Sequence, residues 1–352
     1  MLIYFLVAIS PLVISYFFPK LNIDNKVKKR YLIVCGIVLV LFIGLRSKYL
    51  GSEDSFSYYA HIQRAINCKT WDVFYNPNGF EFGFQVFLYL LSRVFPWAQM
   101  LFVVTGIIYV SSILHCIYKN SDNIVLSTVM YISLGLLQFQ IQGMRQAIAI
   151  SICIFSLEFI KKRKFIPFVL LMLLAFSFHR TAFLFAAIYF ISYISYNWFN
   201  LLLLFVGSGI VINFTDALMA LGNDVFGTNY SKTIESGGFI ATAIYILIVV
   251  FALVFYKKEL HQKENKMPST ILYITLLGMV SYITRYFGIL IAERISFYFL
   301  FSQTILLPNS LTHVNREYKK AFTLVIYVLC ILLFLYRLQG NNFLPYKFFW
   351  NA

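Results

Sequence analysis

Charge is what this sequence lacks most. Acidic and basic residues together make up 12% of it, against roughly 25% in a soluble domain. Acids are the scarcer sign, 14 Asp and Glu against 29 Lys and Arg. The five cysteines, Cys35, Cys68, Cys116, Cys153 and Cys330, form no CxxC pair and no Cys/His grouping. Nothing therefore points to a zinc site or a redox centre. Four of them lie in apolar runs, where cysteine behaves as a small hydrophobe. Internal repeats and low-complexity segments are missing too. No basic region precedes the first apolar run, and no small-residue cleavage site accompanies it. The N-terminus is expected to be a retained span, not a signal peptide.

What is there is apolar. Hydrophobic residues make up 60% of the 352 positions, and the mean hydropathy is +0.77. Apolar runs of about 17–20 residues recur, with short polar gaps between them. Only a helix satisfies its own backbone in hydrocarbon without closing a barrel. The expected fold is all-α, one polytopic transmembrane helical bundle over 1–352. A net charge of +15 would suggest nucleic acid in a soluble protein. Here cytoplasmic loops, which collect Lys and Arg, explain it, and no nucleic-acid partner is expected.

Those loops orient the chain. The run 20–30 carries Lys20, Lys26, Lys28, Lys29 and Arg30, so the span before it (2–18) enters and the span after it (31–45) returns outward. Residues 46–81 form the longest polar connection, and long loops in compact domains are usually functional. The apolar stretch 82–95 is short and contains Arg93. It is expected to be an interfacial or re-entrant helix, so that 46–97 is one external segment. Spans are then expected at 97–118, 124–141, 144–160, 165–178, 181–194, 200–214, 239–256, 269–284, 295–314 and 321–338, with a second external loop at 215–237. That makes about twelve spans with both termini outside. It sends Lys161–Lys164, Lys257, Lys258, Lys263, Lys266, Arg316, Lys319 and Lys320 inward, more than half of the 29 basic residues with the first loop and Lys119.

The remaining arginines gather on the outer face, at span ends where a charge is costly and marks a function. Arg46 and Asp54 lie in LRSKYLGSEDSFSYY, Glu81 in GFEFGF, Arg145 and Gln146 in GMRQAIA, His179 and Arg180 in FHRTA, and Arg285 ahead of Glu293-Arg294. Many guanidines and few carboxylates facing one compartment suit a phosphate-bearing ligand, because the planar fork of arginine takes two phosphate oxygens at once. Arg145 and Gln146 also open a helix, whose positive end favours an anion. Each residue has a plainer explanation. Arg46 can snorkel to the interface, Asp54 can cap a helix, and Glu81 can be a first-turn charge. His179 can close a helix end, and Glu293 can neutralise a neighbour. Glu293 and Arg294 are adjacent, so on a helix they point in different directions. Tyr58, Tyr59 and Trp71 are candidates to stack on sugar rings.

Taken in order, LRSKYLGSEDSFSYY, GFEFGF, GMRQAIAISI, FHRTAFLF and ERISFYF resemble the EpsG family of bacterial polysaccharide polymerases, similar in role to the Wzy O-antigen polymerases. The family usually reads Gly-x-Asp, whereas Gly51-Ser52-Glu53-Asp54 has one residue more. Tyrosine spacing favours Asp54 as the match, and Glu53 is the alternative. The resemblance implies a GT-C-like bundle in the bacterial inner membrane with its active site facing the periplasm. It also implies a glycosyltransferase that joins polyprenyl-diphosphate-linked (undecaprenyl diphosphate) oligosaccharide repeats into O-antigen or another surface polysaccharide of the lipopolysaccharide type. A hydroxyl of one repeat attacks the anomeric carbon of another, and polyprenyl diphosphate leaves. The hydroxyl needs a general base, with Asp54 first and Glu81 and His179 as competitors. The leaving diphosphate needs preorganised cations, namely Arg145, Arg285 and Arg294, with Gln146 beside them and Arg46 and Arg180 in support. No metal and no cofactor is required, although a divalent ion on Asp54 and Glu81 is an alternative. A chain-length regulator protein is a further candidate partner.

Four other functions compete. A transporter (flippase) of lipid-linked oligosaccharide needs arginines too, but should carry repeats and midplane charges. A membrane acyltransferase would rest on His179 and need fewer arginines. An O-antigen ligase shares the donor and is poorly separated from a polymerase by residue types. A purely structural subunit leaves the arginines unexplained.

Overall fold

The computed structural model describes residues 1–19, 21, 24–51, 53–77, 79–213, 238–262, 264–287, 290–339 and 343–351. The expected second external loop at 215–237, with Lys232, lies outside them, as do Lys20 and Lys263. Among the described residues the regular elements are helical, apart from one isolated antiparallel bridge between Arg46 and Phe348. In order they are α1 (Leu2–Tyr16), α2 (Asn25–Gly44), α3 (Glu53–Asn67), α4 (Trp71–Phe74), α5 (Phe82–Val94) and α6 (Met100–Asn120). Next come α7 (Ile124–Ser133), α8 (Leu136–Gln142), α9 (Met144–Lys161), α10 (Phe165–Phe178), a 3-10 helix (Arg180–Ala186), α11 (Ala187–Ile191) and α12 (Trp198–Asn213). The remainder are α13 (Phe239–Phe255), α14 (Lys257–Leu260), α15 (Met267–Ile283), α16 (Leu290–Leu300), α17 (Gln303–Thr312) and α18 (Arg316–Arg337).

Among the described residues three stretches are long and apolar enough to cross a membrane alone, Met100–Asn120, Met267–Tyr286 and Arg316–Arg337. The pair α7 and α8, bent by 44°, would make a fourth. Five more apolar helices run only 10–17 residues, α5 among them. Full-length crossing helices are thus fewer than the twelve spans expected from hydropathy. The reason is that several apolar runs are broken. Gly135, at φ +89°, divides α7 from α8, because only glycine takes that conformation at no cost. The run expected at 181–194 starts instead as seven residues of 3-10 helix, which rises about 2.0 Å per residue and covers the same depth with fewer residues. The run at 295–314 is two helices, α16 and α17. α18 keeps Leu324, Val325, Val328, Leu329 and Leu332 exposed, an apolar face that suits hydrocarbon.

The connection at 46–81 is mostly helix. Ser55, Tyr58, Ile62 and Ala65 are all buried, spaced three and four apart, the period of one helix face. That face of α3 packs with Phe84, Leu88 and Leu91 of α5 and with Leu101, Phe102, Met144 and Ile148 in a small core of its own. The segment is a helical cap on the bundle, not a loose loop.

Chain ends and caps meet at one end of the bundle. Tyr4 donates to the Phe343 carbonyl. Ser47 N donates 2.8 Å to Lys347 O and Phe349 N 2.9 Å to Leu45 O. Gln99, ahead of α6, donates to Gly44 O at 2.6 Å and Arg46 O at 2.8 Å. At the other end, Asn309 of α17 bonds Asn120 O and the Asp122 amide at 2.8 and 2.9 Å.

Arg46 holds the first of these ends together. Its side chain is fully buried and donates to Leu50 O at 3.0 Å, Ser55 Oγ at 2.6 Å, Ile141 O at 3.2 Å and Ser47 O at 3.3 Å. The guanidinium also lies 3.9 Å over the Phe102 ring. Burial pushes it down to about 9, with Tyr346 and Tyr4 acting the other way, so it stays charged at neutral pH. Its donors are directed into the protein. Arg46→Ala strands several buried carbonyls and is expected to cost about 3 kcal/mol or more. Thermal unfolding in detergent will show the loss. Arg46→Lys will not restore it, since an ammonium cannot span the fork.

Candidate functional site

The site is assembled where α5, α9 and α10 converge at the capped end. α5 and α10 come unusually close. A Cβ at Gly83 would sit 2.8 Å from Ser177 O, so only glycine permits this approach. Glu81 lies two residues before Gly83 and His179 two after Ser177, and the crossing brings them together. His179 Nδ1 is 3.0 Å from Glu81 Oε1, while Arg145 at the start of α9 donates to Glu81 Oε2. Arg145 Nε reaches the Tyr58 hydroxyl at 3.4 Å, and the guanidinium stands 4.4 Å over the Phe80 ring.

Exposures at the cluster are low but not zero, 12% for the Glu81 side chain, 17% for His179 and 22% for Arg145. Burial alone would push the Glu81 carboxyl up. The His179 hydrogen bond and the Arg145 charge outweigh it and hold the carboxyl at about 2. An ionised carboxylate only accepts, so His179 must present its Nδ1–H to Glu81. In the neutral imidazole this tautomer carries its lone pair on Nε2. A neutral imidazole oriented in this way can take a proton. A guanidinium partly open beside it can meet an anion.

α16 links this cluster to a second one. Arg294 NH2 lies 3.3 Å from Asp54 Oδ2, both side chains well exposed. The Arg294 carbonyl accepts from Gln146 Nε2 at 2.6 Å. Gln146 is 4% exposed, so it fastens α16 to α9. One residue earlier, Glu293 points the other way and pairs with Arg285 at 2.9 Å. Arg285 also donates to the Tyr282 hydroxyl at 3.0 Å. The Tyr282 ring meets Tyr245 edge-on at 5.0 Å, and the Tyr245 hydroxyl accepts from Arg337 at 3.1 Å.

Arg145 and His179 both contact Glu81, one on each carboxylate oxygen. Asp54 pairs with Arg294 and lies on the same α3 that carries Tyr58, whose hydroxyl meets Arg145. Arg285 belongs to the second cluster, and Arg180 is exposed at the start of the 3-10 helix. Glu53 begins α3. Tyr58 is 4% exposed, so it supports Arg145 and does not offer a ring to a sugar. Trp71 stacks on Tyr75 at 5.2 Å. Four contributors had no role in the sequence argument. Gly83 was visible as a glycine inside an apolar helix. Arg337, with Tyr245 and Tyr282, carried no local signal, since aromatics are everywhere in this chain. Among the described residues no three His, Cys, Asp or Glu side chains gather. Asp54 and Glu81, the pair a divalent ion would need, are tied to different arginines.

A family model described as the EpsG family matches residues 29–348, nearly the whole chain. No curated protein and no solved structure matches it.

Proposed function

Since this chain belongs to the EpsG family, we propose that it is a membrane glycosyltransferase of the polysaccharide-polymerase type. It joins polyprenyl-diphosphate-linked oligosaccharide repeats into a surface polysaccharide at the outer face of the bacterial inner membrane. The observation that carries this reading is the contact set of His179, Glu81 and Arg145. It combines an oriented base with a cation in one partly exposed place, the two groups this transfer requires.

His179 Nε2 takes the proton from the acceptor sugar hydroxyl. The oxygen attacks the anomeric carbon of the donor. The bond from that carbon to the diphosphate oxygen breaks, and the electron pair leaves with polyprenyl diphosphate. Arg145, preorganised by Glu81 and Tyr58, stabilises the charge that collects on the leaving group, with Arg294 beside it. Glu81 is the positioning residue. Its acidity makes it a poor base, and both of its oxygens are engaged. Asp54, paired with Arg294 at the rim, binds and orients. The His179–Glu81 contact therefore favours His179 as the base over Asp54, first choice on sequence. Arg285 and Arg337 form a second cationic site on the other side of α16, fit for the diphosphate of the second lipid.

The test is the purified protein in nanodiscs with one lipid-linked repeat as the sole sugar. A ladder of longer products, with one free polyprenyl diphosphate per bond formed, is expected. Substrate that crosses the bilayer unchanged would mean a transporter. Polymer formed only when preassembled chains and an outer-core acceptor are added would mean a ligase.

A further inference from the structure

At the end of the bundle opposite Glu81, a cavity of about 520 Å³ opens between the end of α9 and the start of α15. Lys161, Arg163 and Lys266 line it, with Glu264, Ser192 and Thr270. Three cations face one acid. Two of the cations are held in place. Arg163 has a φ of +55°, a conformation that non-glycine residues keep only where their surroundings hold it. Its guanidinium donates to Ser192 Oγ and, at 2.9 Å, to Ser192 O, and lies 3.9 Å over the Tyr193 ring. Lys266 Nζ donates 2.7 Å to Tyr193 O. α15, 17 residues long with a proline in its first turn, adds the positive end of its dipole.

Beside this charged hollow runs an apolar wall. Ile166 and Leu170 on α10, Phe190 on α11 and Ile194 just beyond are exposed. Ring contacts Phe165–Tyr189 at 5.1 Å and Tyr189–Tyr193 at 5.7 Å join the wall to the ring under Arg163. A cationic hollow alone would suit any phosphate. A hollow continuous with an exposed apolar wall suits an amphiphile with an anionic head.

We propose that this cavity binds the phosphodiester head group of an anionic phospholipid, whose acyl chains lie along α10 and α11. Basic pockets between helices at a membrane surface take such heads. The proposal does not depend on the glycosyltransferase reading, because the cavity shares no residue with the cluster around Glu81.

Native mass spectrometry of the full chain in detergent, with cardiolipin, phosphatidylglycerol or phosphatidylcholine added, tests it. The wild type should retain an anionic lipid and not phosphatidylcholine. Each lysine removed, as Lys161→Gln or Lys266→Gln, should weaken retention about fivefold, and the pair about 25-fold. Lys161→Glu, at an exposed position with no partner among the described residues, covers the case in which Lys266→Gln disturbs the fold. Lys257→Gln with Lys258→Gln, in a neighbouring cavity, should change nothing. Equal retention by the double Lys161/Lys266 variant and by Lys161→Glu, or equal binding of phosphatidylcholine, overturns the proposal. Displacement of the lipid by millimolar inorganic phosphate would reassign the site to free phosphate and overturn it as well.

Discussion

Arg145→Ala should stop polymer growth while leaving single repeats on the carrier lipid. Two effects add. The variant loses the guanidinium proposed to meet the leaving diphosphate, a kind of loss worth about a hundred- to a thousandfold in rate. It also leaves the Glu81 carboxylate buried without its cation, which costs roughly 3–5 kcal/mol. The two are separable. Arg145→Ala combined with Glu81→Ala removes both charges and should recover much of the stability without recovering activity, a coupling that a double-mutant cycle measures. The readouts are a glycan gel from cells lacking their own copy and protein abundance in the membrane. A normal long-chain ladder from a stably present Arg145→Ala variant would remove the diphosphate role.

The second large effect concerns the base. His179→Asn should lower the transfer rate by about a hundred- to ten-thousandfold, with binding of lipid-linked substrate little changed. Glu81→Gln should lower it as well, because the amide no longer fixes the imidazole tautomer. Asp54→Asn should cost less than either. The reverse ranking, with Asp54→Asn silent product formation and His179→Asn near normal, would return the base to Asp54. pH adds an independent check. The folded Glu81 carboxyl is held at about 2, below its usual value of about 4.5, so its pairing stabilises the fold fully above pH 4.5 or so. That stability, about 3 kcal/mol in order of magnitude, is lost as pH falls from there toward 2. An acid limb in the rate above pH 5 therefore cannot come from Glu81.

Some of this was legible in the chain itself. Long apolar runs with few charges are enough to specify a helical membrane bundle, because backbone groups in hydrocarbon have no other partner. Ordered motifs around Glu81, Arg145, His179 and Glu293-Arg294 were enough to suggest the family. The adjacency of Glu293 and Arg294 already required them to face different ways, and in the structure one pairs with Arg285 and the other with Asp54. Which charges meet could not be read off. Glu81 and His179 stand 98 positions apart, and they touch because Gly83 lets two backbones close up, a contact that hydropathy does not record.

The same limit explains Arg46 and the helix count. A lone arginine after an apolar run carries the same sequence signature whether it binds ligand or ties the chain together. Only the packing of Leu50, Ser55 and Ile141 around it separates the two. Apolar composition likewise fixes that a stretch is buried or lipid-facing. Whether it runs as one straight helix, bends at Gly135 or tightens into 3-10 turns depends on what its neighbours press against it. Local residue type thus determined the solvent this protein lives in and the charges it can deploy. Tertiary packing alone decided which of those charges are used to hold the fold and which are left facing a substrate, because pairing energies depend on distances that the order of residues does not contain.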